Sequence, residues 1–387
     1  MDNNKNENKI SFIDSIFTAV TAFILALIII ILSVFTVFRT PKEFSENENR
    51  ALATKPQYSF SSLIDGRYMT EVEDYLNDQF ITRDNAIRLK TAIDLFVGKI
   101  EIGDVYVGKK HFLFEKNSPY TKQTDNTIKS INRFTKNHKK LNSYIAIAPN
   151  ASELLSDYLP KNAPRENQTK QIKKVYSKLD NSIHTVDLCA ALKKAENPEE
   201  LYYKTDHHWT TPAARLAFLR IAKDMKIKVP NNTYTSYAVS DSFCGTMASS
   251  AGLFTAKDTI YIRTPNSKKL QYIVEYVNED KKLTSPFVSA KLETKNKYEV
   301  FFGGNFAQIN ISTNVNSQRV LLLFKDSYAN CLVPMLIPHF KTIVMIDPRY
   351  YAEDINETIK KEGVTDVLWL YNANTFLADT SINSIME

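Results

Sequence analysis

The chain has 387 residues, 49 Lys and Arg against 43 Asp and Glu for a formal net charge of +6, and a hydrophobic share of 43% with 22 Phe and 20 Tyr. That length and apolar content suit one large domain with an accessory region and exclude disorder as the default state. The mild basic excess comes without a recognisable nucleic-acid-binding motif, so nucleic acid is not an expected partner, and an anionic wall polymer or membrane surface fits it better.

In chain order, the first segment decides the compartment. Residues 16–38 carry no charge, and the run AFILALIIIILSVF is almost wholly aliphatic and aromatic. At about 1.5 Å per residue it crosses a hydrocarbon layer roughly 30 Å thick. A cleaved signal would have an apolar stretch of about 7–15 residues ending in small side chains, whereas this run ends FTVFRTPKEF. The expectation is an uncleaved single-pass anchor at 16–38 with a cytoplasmic N-terminus at 1–15. Lys5 and Lys9 before the span nearly balance Arg39 and Lys42 after it, so the positive-inside bias is weak. The size of the folded part after the span points to an extracytoplasmic domain on the cell membrane.

Residues 39–98 read as a linker and helical collar. TPKEFSENENRALATKPQYSF is polar and rich in turn formers, and Met69, Val72, Leu76 and Phe80 then recur near helical spacing. Residues 99–387 alternate strand and helix signals. SYIAIAP, SIHTVDL, RVLLLF, TIVMID and DVLWLY are short apolar runs, separated by amphipathic stretches such as TTPAARLAFLRIAKDM and YAEDINETIKKEG, the latter stopping at Gly363. This is the pattern of an α/β fold with a parallel sheet covered on both faces. Within 255–302, TIYIRT, YIVEYV and KYEVFF suggest an inserted β-hairpin region. Cys189, Cys244 and Cys331 are odd in number and lack CxxC spacing, so they read as small buried side chains.

Two stretches carry candidate chemistry. In RVLLLFKDSYANCLVPML a buried strand ends at Lys325 and is followed by Asp326 and Ser327. A serine there sits at the carboxyl edge of the sheet, where open α/β folds place ligands, although either residue could simply cap a helix. In YYKTDHHWTTPAA, Asp206, His207, His208 and Trp209 lie on the loop entering a helix marked by a Thr cap and Pro212. A serine nucleophile needs a base within hydrogen-bond reach and an acid that fixes the imidazole tautomer. If the segment is extended, Asp206 and His208 share a face and His207 points away, which makes His208 the base. A metal is not expected, because His111, His138, His184 and His339 stand alone. In VFFGGNFAQINI, the pair Gly303 and Gly304 with Asn305 follows a strand-like run and offers backbone approach and an amide donor, or else a plain tight turn. SFCGTMASSAG at 242–252 has a similar but weaker texture.

Taken together, YYKTDHHWT, FFGGN, KDSYAN, FSENENRALA and DQFITRD resemble the DHHW family of Gram-positive bacteria, related to alginate O-acetyltransferases of the AlgJ and AlgX type. The resemblance implies an SGNH-hydrolase-like fold in permuted order, the acid and base preceding the serine. It implies catalytic Ser327, His208 and Asp206 by position. Gly304, Asn305, Trp209 and Tyr328 are the oxyanion and substrate-binding candidates. KDSYAN lacks the glycine of the usual GDS signature. The function expected is a membrane-anchored O-acetyltransferase acting on an envelope polysaccharide or exopolysaccharide, without a cofactor. A membrane-bound O-acyltransferase is the implied acetyl-donor partner. The rivals are an O-acetyl esterase, in which water resolves the same acyl-enzyme, and a non-catalytic carbohydrate-binding scaffold with Trp209, Tyr328 and Tyr350 as a sugar platform.

Overall fold

The computed structural model describes residues 2–386 apart from Glu46, Asn49 and Asn232. The side chains of residues 2–14 and of Val37 also lie outside the description, and with them the charges of Lys5 and Lys9 that bear on orientation. By their internal contacts residues 1–94 and 95–387 form two compact units.

In the first unit, helix α1 (Asp2–Phe38) contains the stretch Ser15–Thr36, with a mean hydropathy of 2.9 and its apolar side chains largely exposed. It is long and apolar enough to cross a membrane, as an anchor or as a signal sequence. Beyond it, α2 (Arg67–Gln79) and α3 (Arg83–Phe96) follow a two-residue ladder of Phe44–Ser45 with Arg50–Ala51. Polar bonds hold these pieces together. Arg50 grips Asp78 through both terminal nitrogens at 2.8 and 2.5 Å, Arg83 meets Glu48 at 2.6 Å, and Gln79 bonds the Lys42 backbone. Met69 and Leu76, two of the residues at helical spacing, are exposed while Gln79 is buried. The helical period is there, but hydrogen bonds rather than an apolar stripe fix the inward face.

The second unit is built on an eight-stranded sheet. Its strands are β1 (Asn142–Ala148), β2 (Ile183–Val186), β3 (Tyr272–Tyr276), β4 (Lys281–Leu283), β5 (Gln308–Thr313), β6 (Val320–Lys325), β7 (Thr342–Ile346) and β8 (Asp366–Asn372). In space the order is β4-β3-β5-β7-β6-β8-β1-β2. The five apolar runs read from the sequence are the parallel part, β7-β6-β8-β1-β2, and β5, β3 and β4 extend it antiparallel. Side chains alternate between two cores. Leu321, Leu323, Leu368 and Leu370 face α4 (Thr211–Asp224), whereas Leu322, Phe324, Val367 and Trp369 face the other side with Ile128, Ile131 and Phe134. Burial on both faces is why these strands are apolar at every position rather than at alternate ones. Helix α5 (Ile355–Glu362) ends at Gly363 with φ +66, as its sequence indicates.

The hairpin-like region divides differently from its sequence pattern. TIYIRT lies in Asp258–Pro265 and pairs with the upstream strand Tyr234–Phe243, while YIVEYV supplies β3 of the main sheet. KYEVFF is not a strand. It forms the 3-10 turn Lys297–Val300 followed by fully buried Phe301 and Phe302, the latter at φ +63. Its aromatic rings plug the core, and the left-handed backbone at Phe302 breaks any ladder.

Candidate active site

Ser327 stands just past the carboxyl end of β6, near the middle of the eight-stranded sheet. The capping alternative falls to its neighbour. Asp326 Oδ1 accepts the Tyr328 N–H at 2.9 Å and caps the turn Ser327–Cys331, while its Oδ2 accepts from Asn372 N and Nδ2 at 2.8 and 2.6 Å. Burial pushes the Asp326 carboxyl up, and those amide donors oppose the rise. The Ser327 hydroxyl is thereby left for another role, and no acceptor among the described residues takes its backbone N–H.

The second loop is closed by the bridge Tyr202–Trp209, and Thr210 caps α4 by accepting from Ala213 N. It delivers His208 to Ser327, with His208 Nε2 2.7 Å from Ser327 Oγ and His208 Nδ1 2.5 Å from Asp206 Oδ1. A carboxylate only accepts, so the ring proton lies on Nδ1 and Nε2 accepts the serine hydroxyl. Asp206 and His208 are almost fully buried. Asp206 also accepts from His208 N at 3.0 Å, Thr246 N at 2.9 Å and Thr246 Oγ1 at 3.0 Å. Burial alone would raise its carboxyl, but the protonated forms of His207 and His208 and these hydrogen bonds outweigh it and hold it well below the carboxylate range.

His207 does not point away. The loop bends instead of extending, so the His207 ring lies 3.9 Å from that of His208 and its Nδ1 bonds Thr246 Oγ1 at 2.8 Å. Enclosure of the ring, then the neighbouring His208 charge, keeps the His207 pKa below its ordinary value. Asp206, His207 and His208 also offer ligand atoms within 4.8 Å of one another. A cation there would have to displace the N–H donors on Asp206 and the proton on His208 Nδ1, so the donor set suits a triad rather than a metal.

Trp209 and Tyr328 are not ligand-facing. Both are wholly buried, and they clamp the two loops together: Trp209 Nε1 donates to the Tyr328 carbonyl at 2.8 Å and Tyr328 OH to the His207 carbonyl at 2.6 Å. Their polar tips find partners inside the protein, which leaves no face for a sugar. Gly304, at φ +132, fills a position open to glycine, and a side chain there would meet Glu299 rather than the triad. Asn305 is exposed; its Oδ1 accepts from Lys325 Nζ at 3.0 Å and Asn330 Nδ2 at 3.1 Å, which turns its NH2 group outward. Burial lowers the Lys325 pKa, against the pull of Asp347.

Four neighbours escaped the sequence reading. Tyr298 stacks on the His208 ring at 3.8 Å and 15° and donates to the Ser327 carbonyl at 3.2 Å. Gly245 packs against Asp206 so tightly that a Cβ would fall 2.2 Å from the Asp206 Cβ. Asn150, right after β1, links Glu115 at 2.5 Å to Tyr328 OH and Asn372 Oδ1, both at 3.3 Å. Glu115 has its pKa raised by burial, which the His207 charge opposes. Asn150 could have been found from its place directly after a strand on the same sheet edge, and Gly245 from the weak glycine signal at 242–252. Tyr298 has no local signal.

Residues 105–283, a stretch that includes Asp206 and His208, match the family model described as the SGNH hydrolase-like domain, acetyltransferase AlgX. A DHHW family protein from Eubacterium siraeum has the same fold, with a TM-score of 0.65 and 24% identity over 74% of this chain and 96% of that one. Bacillus cereus PatB1, in a structure with a sulfonyl adduct, superposes with a TM-score of 0.62 and 20% identity over 73% of this chain and 98% of its own. PatB1 without the adduct gives 0.61 and 19% over 72% and 98%. No curated protein sequence matches the chain.

Proposed function

We propose that this chain, with its AlgX-like SGNH hydrolase domain, is a serine O-acyltransferase that carries an acetyl group on Ser327 and passes it to a hydroxyl of an extracytoplasmic polysaccharide. The observation that carries this reading is the unbroken chain Ser327 Oγ, His208 Nε2, His208 Nδ1, Asp206 Oδ1, with steps of 2.7 and 2.5 Å across the ring. In the first half-reaction Ser327 Oγ attacks the acetyl carbonyl, His208 Nε2 takes the hydroxyl proton, and that proton leaves with the departing group. In the second, the acceptor hydroxyl gives its proton to Nε2 and attacks the acyl-enzyme, and the proton returns to Ser327 Oγ as the ester breaks. Asp206 holds the tautomer and faces the imidazolium formed in each half. The Ser327 N–H and the outward Asn305 amide are the oxyanion donors in this scheme.

The apolar helix α1 serves in this reading as an uncleaved anchor, with 99–387 as the catalytic part on the outer side. The acetyl donor comes from a membrane-bound O-acyltransferase that hands the group across the bilayer. Full-length protein incubated with an activated acetyl ester and examined by intact mass spectrometry gains one acetyl group, and Ser327→Ala gains none. An adduct of equal yield in the variant, or none in folded wild type, sinks the proposal. Added oligosaccharide then separates transfer from hydrolysis, since only transfer moves the label onto sugar.

A further inference from the structure

A cavity of about 430 Å³ lies where α4 meets the strands Tyr234–Phe243 and Asp258–Pro265. Phe218, Val229 and Met335 give it apolar walls, and Arg215 and Arg263 both line it. Neither guanidinium has an ion-pair partner among the described residues, and no carboxylate lines the cavity among them. Arg263 Nε is buried without any hydrogen-bond partner. Burial and the like charge of Arg215 also hold the Arg263 pKa below its ordinary value. Folded proteins rarely leave a buried guanidinium N–H unmet, and two cations on one cavity, exposed Arg215 and half-buried Arg263, repel without a counter-charge. Arginine's planar fork suits carboxylate and phosphate oxygens.

From this arrangement we infer that the cavity binds an organic anion, a phosphate or carboxylate group bearing a compact apolar body, between Arg215 and Arg263. The anionic oxygens complete the hydrogen bonds of Arg263 and neutralise the pair, while Phe218, Val229 and Met335 cover the apolar part. The wall is anchored: Tyr234, which also lines the cavity, donates through its OH to the Met335 carbonyl at 2.6 Å. The site is separate from the triad and does not depend on the acyl-transfer reading. The same chemistry comes either from a free small anion or from a charged unit of a polymer.

The test is calorimetric titration of full-length protein in detergent with phenyl phosphate, alongside inorganic phosphate and phenol as probes lacking one half. Phenyl phosphate binds at least tenfold more tightly than either half-probe. Both Arg215→Gln and Arg263→Gln weaken it at least tenfold without loss of thermal stability, because each removes a repelling charge. Displacement of phenyl phosphate by a soluble phosphodiester polymer assigns the site to a polymer unit, and retention in its presence assigns it to a free anion. No heat of binding to wild type, or equal affinity in both well-folded variants, overturns the inference. Ser327 acetylation is unaltered in either variant, which keeps the outcome independent of the triad.

Discussion

Replacing Asp206 by Asn is the most discriminating perturbation of the triad. The carboxylate receives His208 N and Nδ1 on Oδ1, and Thr246 N and Oγ1 on Oδ2. An amide offers one oxygen. Facing His208, it keeps both His208 donors and sets its NH2 against the Thr246 N–H, while the Thr246 hydroxyl turns to accept. Facing Thr246, it opposes two His208 donors and forces the proton onto Nε2, where the ring no longer accepts from Ser327. The first arrangement leaves fewer unmet donors, so the tautomer is kept and the loss is that of charge. Opposite unit charges roughly 4 Å apart at an effective dielectric of about 20 attract by about 4 kcal/mol, which sets the rate loss in acylation near 10³. The unmet Thr246 N–H lowers stability by about 1–3 kcal/mol besides. Rapid-quench measurement of Ser327 acetylation gives the first quantity and thermal unfolding the second. Acylation within threefold of wild type, with Ser327→Ala inert, would refute the assignment of Asp206 to the imidazolium.

Asn305→Ala removes the outward amide donor and lowers acylation by about 10² with little change in stability, read in the same quench assay. Gly245→Ala places a methyl 2.3 Å from Asp206 Oδ2 at an ordinary φ of −86, so the acid must shift. Acylation falls at least tenfold and unfolding moves by about 1–3 kcal/mol, as overpacking does. His339 has its pKa pushed down to about 4 from 6.5 by burial and then by Arg319. The unfolded chain therefore binds the proton first, stability is full above about pH 6.5, and it falls as the pH drops through 4. Allowing for the exposed part of the ring, the loss is about 2 kcal/mol, and His339→Gln, which can still bond Tyr234, removes that slope from urea titrations at several pH values.

The parallel strands were legible because burial on both faces forces unbroken apolar runs, and RVLLLF and DVLWLY have no other use in a folded chain. Ser327 was legible from that strand's end, and the pairing of Asp206 with His208 from their closeness in sequence. The partners of Asp206 were not, because Gly245 and Thr246 lie about forty residues away and meet it only after the fold forms. Tyr298 reaches His208 across a gap more than twice as long, from a segment whose β-like composition hides a helical turn. Trp209 and Tyr328 were misread for a different reason. An aromatic residue beside a catalytic loop has the same local sequence whether its polar tip bonds a backbone carbonyl or its face meets a sugar, and only burial separates the two.

That burial also explains why the order of the triad along the chain is of no mechanical consequence. The base loop and the nucleophile turn arise more than a hundred residues apart, yet four contacts tie them: Trp209 to the Tyr328 carbonyl, Tyr328 to the His207 carbonyl, His208 to Ser327, and Tyr298 bridging the His208 ring and the Ser327 carbonyl. Three of the four involve side chains with no exposed surface or with only a few per cent of it. A base held this way keeps its distance to the hydroxyl without help from substrate, and misplacement of about 1 Å is enough to lose about 10² in rate. In the proposed mechanism preorganisation therefore comes from buried aromatic residues rather than from the substrate. In the proposed transfer, selectivity between water and a sugar hydroxyl arises where exposed Asn305 and partly exposed Ser327 meet solvent.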